Sequence, residues 1–325
     1  MSIEGPCQCS EFELQETLNV LDLIFHSGKT RRMGKYYPYA YGPGNLHNMR
    51  IMKAEDRIIS HAAIYPRFVN TVDGLELKVG CIGGVATHPE YRGRGYATAV
   101  MNDCIRKMEQ EDYDISILWT DSPGFYRRLG WESAGTELCF NLNPGNIFVL
   151  PTVEEGAGPE EVTSDFSEIR QIYDLKPLRS RRESGDYPLL FNSQRRLYCR
   201  RNAMTTAYVL LGDDNSVLEY GGDFKVVCSI LRKLVERGNC PFLKLFTPPQ
   251  QDDLAGYMEE LGVPKNSIYL GMIRVISQKK ILGKCRGDTI GACPSGKLSK
   301  LLFGPEKRPK EAGHITIYLW QSEHC

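Results

Sequence analysis

Apolar positions recur with two different periods along the chain, and each change of period marks out an element. Over residues 11–26, Phe12, Leu14, Leu18, Leu21, Leu23, Ile24 and Phe25 form a broad stripe at helical spacing. Ser10 stands at the N-cap position, and Glu13 three residues later completes a capping box. Runs at about 49–54, 57–70 and 75–87 read as strands, with Asp73-Gly74 between the last two as a two-residue hairpin signal. A helix over 94–110 follows, then a strand from Ile115 to Trp119. That β-α-β order implies parallel neighbours joined by a crossover. Pro123 opens a short helix with Asp121 or Ser122 as its cap, and Trp131 to Leu142 reads as a final hairpin.

Asn143 to Asn146 and the acidic, Gly-rich stretch 154–161 read as a boundary and linker. Beyond residue 162 the order of elements repeats. A helix at 166–175 and a basic loop at Arg179–Arg182 lead into strands at 205–211 and 216–221. A helix at 224–237, a strand at 242–246, a helix at 251–261 and a strand at 268–276 follow. The repetition predicts two units, 1–145 and 160–276, with a segment 277–325 that packs back on the body. That segment ends in a strand-like run, His314 to Trp320, and a polar stretch, Gln321 to His324, able to fray.

A length of 325 residues suits two domains, and 42% hydrophobic with 25% charged residues is ordinary for a soluble globular chain. Lys plus Arg and Asp plus Glu both number 40, so no global field recruits nucleic acid or an acidic membrane. The balance leaves self-association into a homo-oligomer open. No apolar run approaches bilayer length, and the N-terminus has no secretory pattern. The eleven cysteines are scattered through mostly apolar contexts, and Cys7 and Cys9 lack a second pair. Reduced thiols, no metal site and a cytoplasmic protein are therefore expected.

The stretch with chemistry in it runs from Val85 to Ala97, where an apolar run meets a Pro-bearing turn, a Gly/Arg loop and a helix start. Glycines let backbone N–H groups come close to a ligand, and a helix start adds unpaired donors and a positive dipole end. Together they cradle a diphosphate, with Arg92 and Arg94 adding charge-assisted contacts. The dinucleotide and P-loop patterns do not fit, because GxGxxG is absent and no Gly-Lys-Ser/Thr follows this loop. Arg92-x-x-Gly95-x-Ala97 closely resembles the acetyl-CoA pyrophosphate loop of the GCN5-related N-acetyltransferase superfamily. Phe125-Tyr126-Arg127-Arg128-Leu129-Gly130-Trp131 resembles that family's FYxRLGF segment, at the family's usual separation. The motif-level likeness covers about residues 80–135. Over the second half only the order of elements matches, and the tandem layout with its added C-terminal segment resembles the enhanced-intracellular-survival type.

The resemblance implies a mixed α/β acyl-CoA N-acyltransferase fold in tandem, one unit binding CoA and one degenerate. Acetyl-CoA would be the co-substrate, with no metal. It would lie against the backbone of Val85, Ala86 and Thr87, in the gap where this strand splays from its parallel neighbour, and on Arg92, Gly93, Arg94, Gly95, Tyr96 and Ala97. In the second unit, Glu219-Tyr220-Gly221-Gly222-Asp223-Phe224 stands where that loop would be, and its carboxylates would repel a diphosphate. The implied reaction is acetyl transfer to a primary amine, on a small molecule or at a lysine or N-terminal amine, by direct attack in a ternary complex. A backbone N–H at or near Thr87 would hold the oxyanion, Tyr126 would protonate the thiolate, and the terminal carboxylate of Cys325 would serve as base. His61, His88 and water are the alternative bases. A different acyl donor, or a non-catalytic acyl-CoA sensor with no need of Tyr126, are the competing functions. The basic, tyrosine-rich stretch 27–48 either shapes the acceptor site or packs on the domain edge.

Overall fold

The computed structural model describes residues 2–25, 32–152, 159–191, 195–201, 206–238, 240–250, 252–284, 293–304 and 315–324. The first half runs β1 (Ile3–Gln8), α1 (Glu11–Phe25), α2 (Met33–Tyr36), β2 (Met49–Ala54), β3 (Arg57–Asn70), β4 (Glu76–Thr87), α3 (Tyr96–Gln110), β5 (Ile115–Leu118), α4 (Pro123–Arg127), β6 (Glu132–Ala134) and β7 (Glu137–Leu142). The second runs β8 (Glu160–Glu161), α5 (Ser167–Asp174), α6 (Asp186–Leu190), β9 (Arg196–Arg201), β10 (Thr206–Leu211), β11 (Ser216–Gly222), α7 (Phe224–Glu236), β12 (Leu243–Thr247), α8 (Asp253–Glu260), β13 (Lys265–Ile268) and β14 (Gly271–Val275). Helices α9 (Gln278–Lys284) and α10 (Ser295–Phe303) follow.

Local chemistry accounts for most of these bounds. Glu13 reaches back to the Ser10 N–H at 2.8 Å, and the Ser10 hydroxyl donates to the same carboxylate, so half of the capping box forms. The β3–β4 loop spans 71–75 rather than two residues. Gly74 at φ +77° follows a turn closed by its N–H on the Thr71 carbonyl, and Thr71 N–H donates to the Leu75 carbonyl. That is the three-residue hairpin whose last position needs a left-handed glycine. Helix α3 buries Val100, Met101, Cys104, Ile105 and Met108. They pack with Ile59, Ile64 and Ile82 of the first sheet. A second apolar cluster runs without a break through both halves of the chain.

Among the described residues the strands form two seven-stranded mixed sheets, ordered β1-β2-β3-β4-β5-β14-β6 and β8-β9-β10-β11-β12-β7-β13. The two orders correspond position by position. In each, one parallel pair (β4/β5, β11/β12) is followed by a strand antiparallel to both its neighbours. This is the acyl-CoA N-acyltransferase fold in tandem, with an exchange between the halves. The strand inserted beyond β5 is β14, from late in the chain, and the one inserted beyond β12 is β7, from the first half.

The predicted final hairpin from Trp131 to Leu142 is therefore corrected: β6 and β7 lie in different sheets. Gly135, at φ +71°, turns the chain between them, and the opposite crossing passes at Leu270. A Cβ on Gly135 would sit 2.7 Å from the Leu270 Cβ, so the two crossings touch. The predicted strand 268–276 divides in the same way into β13 and β14. The last run, predicted as a strand, has no ladder partner over 315–320, yet Ile315, Ile317, Tyr318, Leu319 and Trp320 are all buried. The polar stretch after it is not frayed: Ser322 and Glu323 are fully buried.

Candidate active site

The parallel pairing of β4 with β5 lasts from Val79↔Ile115 to Cys81↔Ile117 and stops. Beyond it the register of β3 against β4 shifts between His61 and Ala63, a bulge that bends β4 away from β5. Gly84 occupies the bulge at φ +59°; a Cβ there would come within 2.9 Å of the Tyr41 ring and 3.1 Å of the His61 ring. His61 Nδ1 bonds the Gly84 carbonyl at 2.7 Å, and burial pushes its pKa down to about 4. It is thus a neutral imidazole fixing the bulge, enclosed in the core, and a poor candidate for the base. His88 also has a local role, its Nδ1 accepting from Glu90 N–H at 3.4 Å where the chain leaves β4.

A cavity of about 630 Å³ fills the gap. Ile82 to Val85 form one wall, Leu118, Trp119 and Thr120 the other, with Ala97 and Tyr126 at the helix side and Met33, Tyr37 and Tyr41 opposite. In the ladder, His88 N–H donates to the Ile59 carbonyl at 2.9 Å and Thr87 faces Ser60. Antiparallel alternation then turns the N–H and C=O of Thr87 away from β3, toward the gap. Arg92 Nε already holds that carbonyl at 3.2 Å.

Gly93 and Gly95 take φ +76° and +83° in the exposed loop, and a Cβ on either would meet nothing within 4 Å. Backbone conformation, rather than crowding, is what asks for glycine at both. Gly95 is the N-cap of α3 and offers no side chain to its first turn. The corresponding helix of the second sheet differs. Asp223 caps α7, accepting from Lys225 and Val226 N–H at 2.9 and 3.0 Å. The α3 start thus fits a diphosphate and the α7 start is filled by its own carboxylate. Glu219, expected to repel phosphate, instead lies buried against Arg182, with oxygens 2.6 and 3.1 Å from its guanidinium.

Tyr126 sits half-buried in the gap, hydrogen-bonded to Thr120, and burial raises its pKa, so the phenol keeps its proton. The expected side-chain cap of α4 is not made. Ser122 is the N-cap residue but bonds nothing there, and its N–H instead donates to the Thr120 hydroxyl at 3.0 Å. Cys325 lies outside the described residues. Its neighbour His324 is docked: Tyr39 donates to its carbonyl at 2.8 Å, and its ring stacks on Trp119. Glu323 and Ser322 anchor that turn to Arg182 and Glu219, at 2.9 and 2.6 Å.

A second cavity, about 1140 Å³, is lined by α1, Tyr39, Tyr65 and Asp186, and Tyr41 borders both cavities. The sequence flagged the tyrosine-rich stretch that supplies Tyr37, Tyr39 and Tyr41. It did not flag Trp119 or His324, whose meeting depends on the last residues folding back.

This cleft, between splayed parallel strands with an open helix start at its rim, lies in the first unit of an acyl-CoA N-acyltransferase fold. Residues 8–134 match the acetyltransferase (GNAT) domain family, so that stretch of the chain carries a domain of this family. The fold is similar to a conserved protein of unknown function from Enterococcus faecalis V583, with TM-score 0.65, 16% identity, and coverage of 87% of this chain and 74% of that one. It is also similar to a GCN5-related N-acetyltransferase from Anabaena variabilis ATCC 29413, at TM-score 0.63, 17% identity and coverage of 86% and 74%. Eis1 from Mycobacterium abscessus aligns at TM-score 0.61, 13% identity and coverage of 87% and 75%. No curated protein matches the chain by sequence. No described helix is long and apolar enough to cross a membrane.

Proposed function

We propose that the protein transfers the acetyl group of acetyl-CoA to a primary amine by direct attack in a ternary complex. The observation that carries this is one continuous gap, with the open α3 start at one end and the protonated phenol of Tyr126 inside it. Arg92 to Ala97 hold the diphosphate, and the backbone of Val85, Ala86 and Thr87 runs beside the pantetheine and thioester. Orientation of thioester and amine supplies much of the rate. As the amine nitrogen attacks, negative charge grows on the thioester oxygen; the Thr87 N–H donates to it, a contribution of roughly 3 kcal/mol by comparison with other oxyanion holes. The C–S bond then breaks, and Tyr126 gives its proton to the departing thiolate. The amine proton leaves to water or to Cys325; the docking of its neighbour His324 on Trp119 supports the second route. Tyr126 inside the gap favours a catalyst over a sensor.

Calorimetric titration with acetyl-CoA, paired with thiol release across a panel of amines, tests this reading. One site per chain and amine-dependent thiol release are expected. Two equivalent sites, or release indifferent to every amine, would overturn it.

A further inference from the structure

The second sheet has its own counterpart of the gap. The parallel pairing of β11 with β12 runs only from Ser216↔Lys244 to Val217↔Leu245. Beyond it a cavity of about 530 Å³ lies between the end of β11, the start of α8 and the turn after α5. Tyr220, Phe224 and Trp320, the last from the run that ends the chain, give it aromatic walls, and Lys176 is the cation in its lining.

The Lys176 Nζ lies 4.0 Å from the centre of the Trp320 ring and 4.9 Å from that of Tyr220, two rings that meet edge to face at 5.0 Å. Among the described residues that nitrogen makes no hydrogen bond and has no carboxylate within 4.0 Å. The acidic groups around it are engaged elsewhere. Asp252 accepts from the Tyr220 hydroxyl at 2.7 Å and from the Ala255 N–H at 2.9 Å. Asp223 caps α7, and Glu219 on β11 is held by Arg182. Removal of water pushes the Lys176 pKa down to about 8, with Arg182 adding to the fall and Asp252 and Glu219 opposing it. The residue is nevertheless only half-buried, so a small molecule in the cavity meets its amine. A lysine dehydrated among apolar walls is an activated nucleophile. At pH 7.5 an amine with a pKa of about 8 is roughly one quarter neutral, against about one part in a thousand for an ordinary lysine.

We propose that Lys176 is an acyl-acceptor site, at which the amine reacts directly with a small acyl thioester in the cleft of the second unit. The nitrogen lone pair attacks the thioester carbonyl carbon, a C–N bond forms and the C–S bond breaks. The electron pair of that bond leaves on sulfur, and the proton released by nitrogen reaches the thiolate through water. The products are an amide on Lys176 and a free thiol, with nothing oxidised or reduced. The uncharged amide is left against the faces of Trp320 and Tyr220, and the charge removed is one that no carboxylate holds. A small thioester suits the cleft better than an acyl phosphate, because Asp223, Asp252 and Asp253 line the same cavity.

The inference stands apart from the acetyl-CoA reading above, and so does its test. The full chain is incubated with S-acetyl-N-acetylcysteamine, a neutral thioester, and acetylation of each lysine is followed by peptide mass spectrometry between pH 6.5 and pH 10. At pH 7.5 Lys176 should be acetylated at least threefold faster than the exposed Lys225 and Lys279. Its rate should level off above about pH 8, where an ordinary lysine keeps gaining until about 10.4. Lys176→Arg keeps a cation over both rings and should remove the fast phase from whole-protein mass spectra, with circular dichroism checking the fold. If that variant does not fold, the pH profile of the unaltered chain still decides. Tyr126→Phe should leave the labelling of Lys176 unchanged, because the first unit takes no part in it. Labelling no faster than that of Lys225 and Lys279, or a rate still climbing past pH 9, would overturn the proposal. Loss of labelling in Tyr126→Phe would overturn it too, by making Lys176 a substrate of the first unit of another copy. A failure of the acetyl-CoA reading would show in the amine panel and leave these rates untouched.

Discussion

The rings of Trp119 and His324 lie nearly parallel, 3.6 Å between centres and 20° between planes. Trp119 is a wall of the gap between β4 and β5, and its Nε1 also donates to the Leu270 carbonyl at 2.7 Å, beside the point where the chain crosses between sheets. The wall is thus held by the chain's last described residue and by the strand exchange together. Burial pushes the His324 pKa down to about 3, so the pair is a stack of neutral rings rather than a cation on an indole.

Replacing His324 by Ala should leave the fold intact and raise the KM of the substrate that rests on this wall about two- to twelvefold. That range follows from the ~0.5–1.5 kcal/mol of an aromatic pair, lost from a wall that then rotates more freely. Steady-state kinetics with each substrate varied will check it. Unchanged KM values for both substrates would count against a role of the stack in shaping the gap.

Tyr126→Phe removes one hydroxyl from the gap. Turnover should fall by roughly 10²–10⁴, the usual loss of a general acid, with CoA binding unchanged. Because burial raises the phenol's pKa, the wild-type rate should show no alkaline decline at pH values up to about 10. Pre-steady-state thiol release at several pH values will measure both effects.

Much of the first half was legible because its signals are local. Gly93, Gly95 and the helix after them carry their purpose in their own backbone preferences, and Tyr126 sits in a segment readable within seven residues. The strand exchange was not legible. Glu137 to Leu142 has the alternation of a strand, and alternation specifies a face, not a sheet. Nor does a periodicity reveal that Gly135 and Leu270 cross at one point. Glu219 was misread for a related reason: its partner Arg182 lies 37 positions away, and a carboxylate seen alone looks like a surface charge. The Trp119 wall of the gap escaped because Trp119 and His324 meet only after the tail has folded.

Acid should destabilise the protein in two stages. His61 and His324 have native pKa values near 4 and 3 against an ordinary 6.5, so below pH 6.5 the unfolded chain takes up two protons that the native state refuses. Glu137 acts oppositely. Burial raises its carboxyl to about 7, so between pH 7 and 4.5 the native state binds one proton more than the unfolded chain. The net is one proton, or about 1.4 kcal/mol per pH unit lost from 6.5 to 4.5. Below 4.5 the Glu137 contribution is complete, and Glu219, whose pKa is lowered mainly by Arg182 against the opposing effect of burial, begins to lose its pairing, so the slope steepens. Urea midpoints at pH 7.5, 6.5, 5.5 and 4.5 will read this. Stability that is flat or rising from 6.5 to 5 would contradict the buried, neutral state of both histidines.

The exchange of β7 and β14 makes each half incomplete without the other. Residues 1–152 alone lack the strand that separates β5 from β6, and they carry β7 with nothing to pair it. In the whole chain Met272, Ile273 and Val275 of β14 are at most 4% exposed. At about 1.5–3 kcal/mol for each buried side chain, their loss removes roughly 5–9 kcal/mol, comparable to the entire net stability of a typical domain. The vacated edge of β5 would also present unpaired backbone groups flanked by apolar side chains, a template for aggregation. Fragment 1–152 expressed alone should therefore be insoluble or lack a cooperative melt. Co-expressed with fragment 159–325 it should assemble, because each supplies the strand that the other lacks. Appending residues 269–276 to the first fragment through a flexible linker should recover part of the fold by filling the same slot. Size-exclusion chromatography and thermal melts of the three preparations decide the matter. A monomeric fragment 1–152 with a sharp, cooperative transition would show that β14 is dispensable to the first sheet.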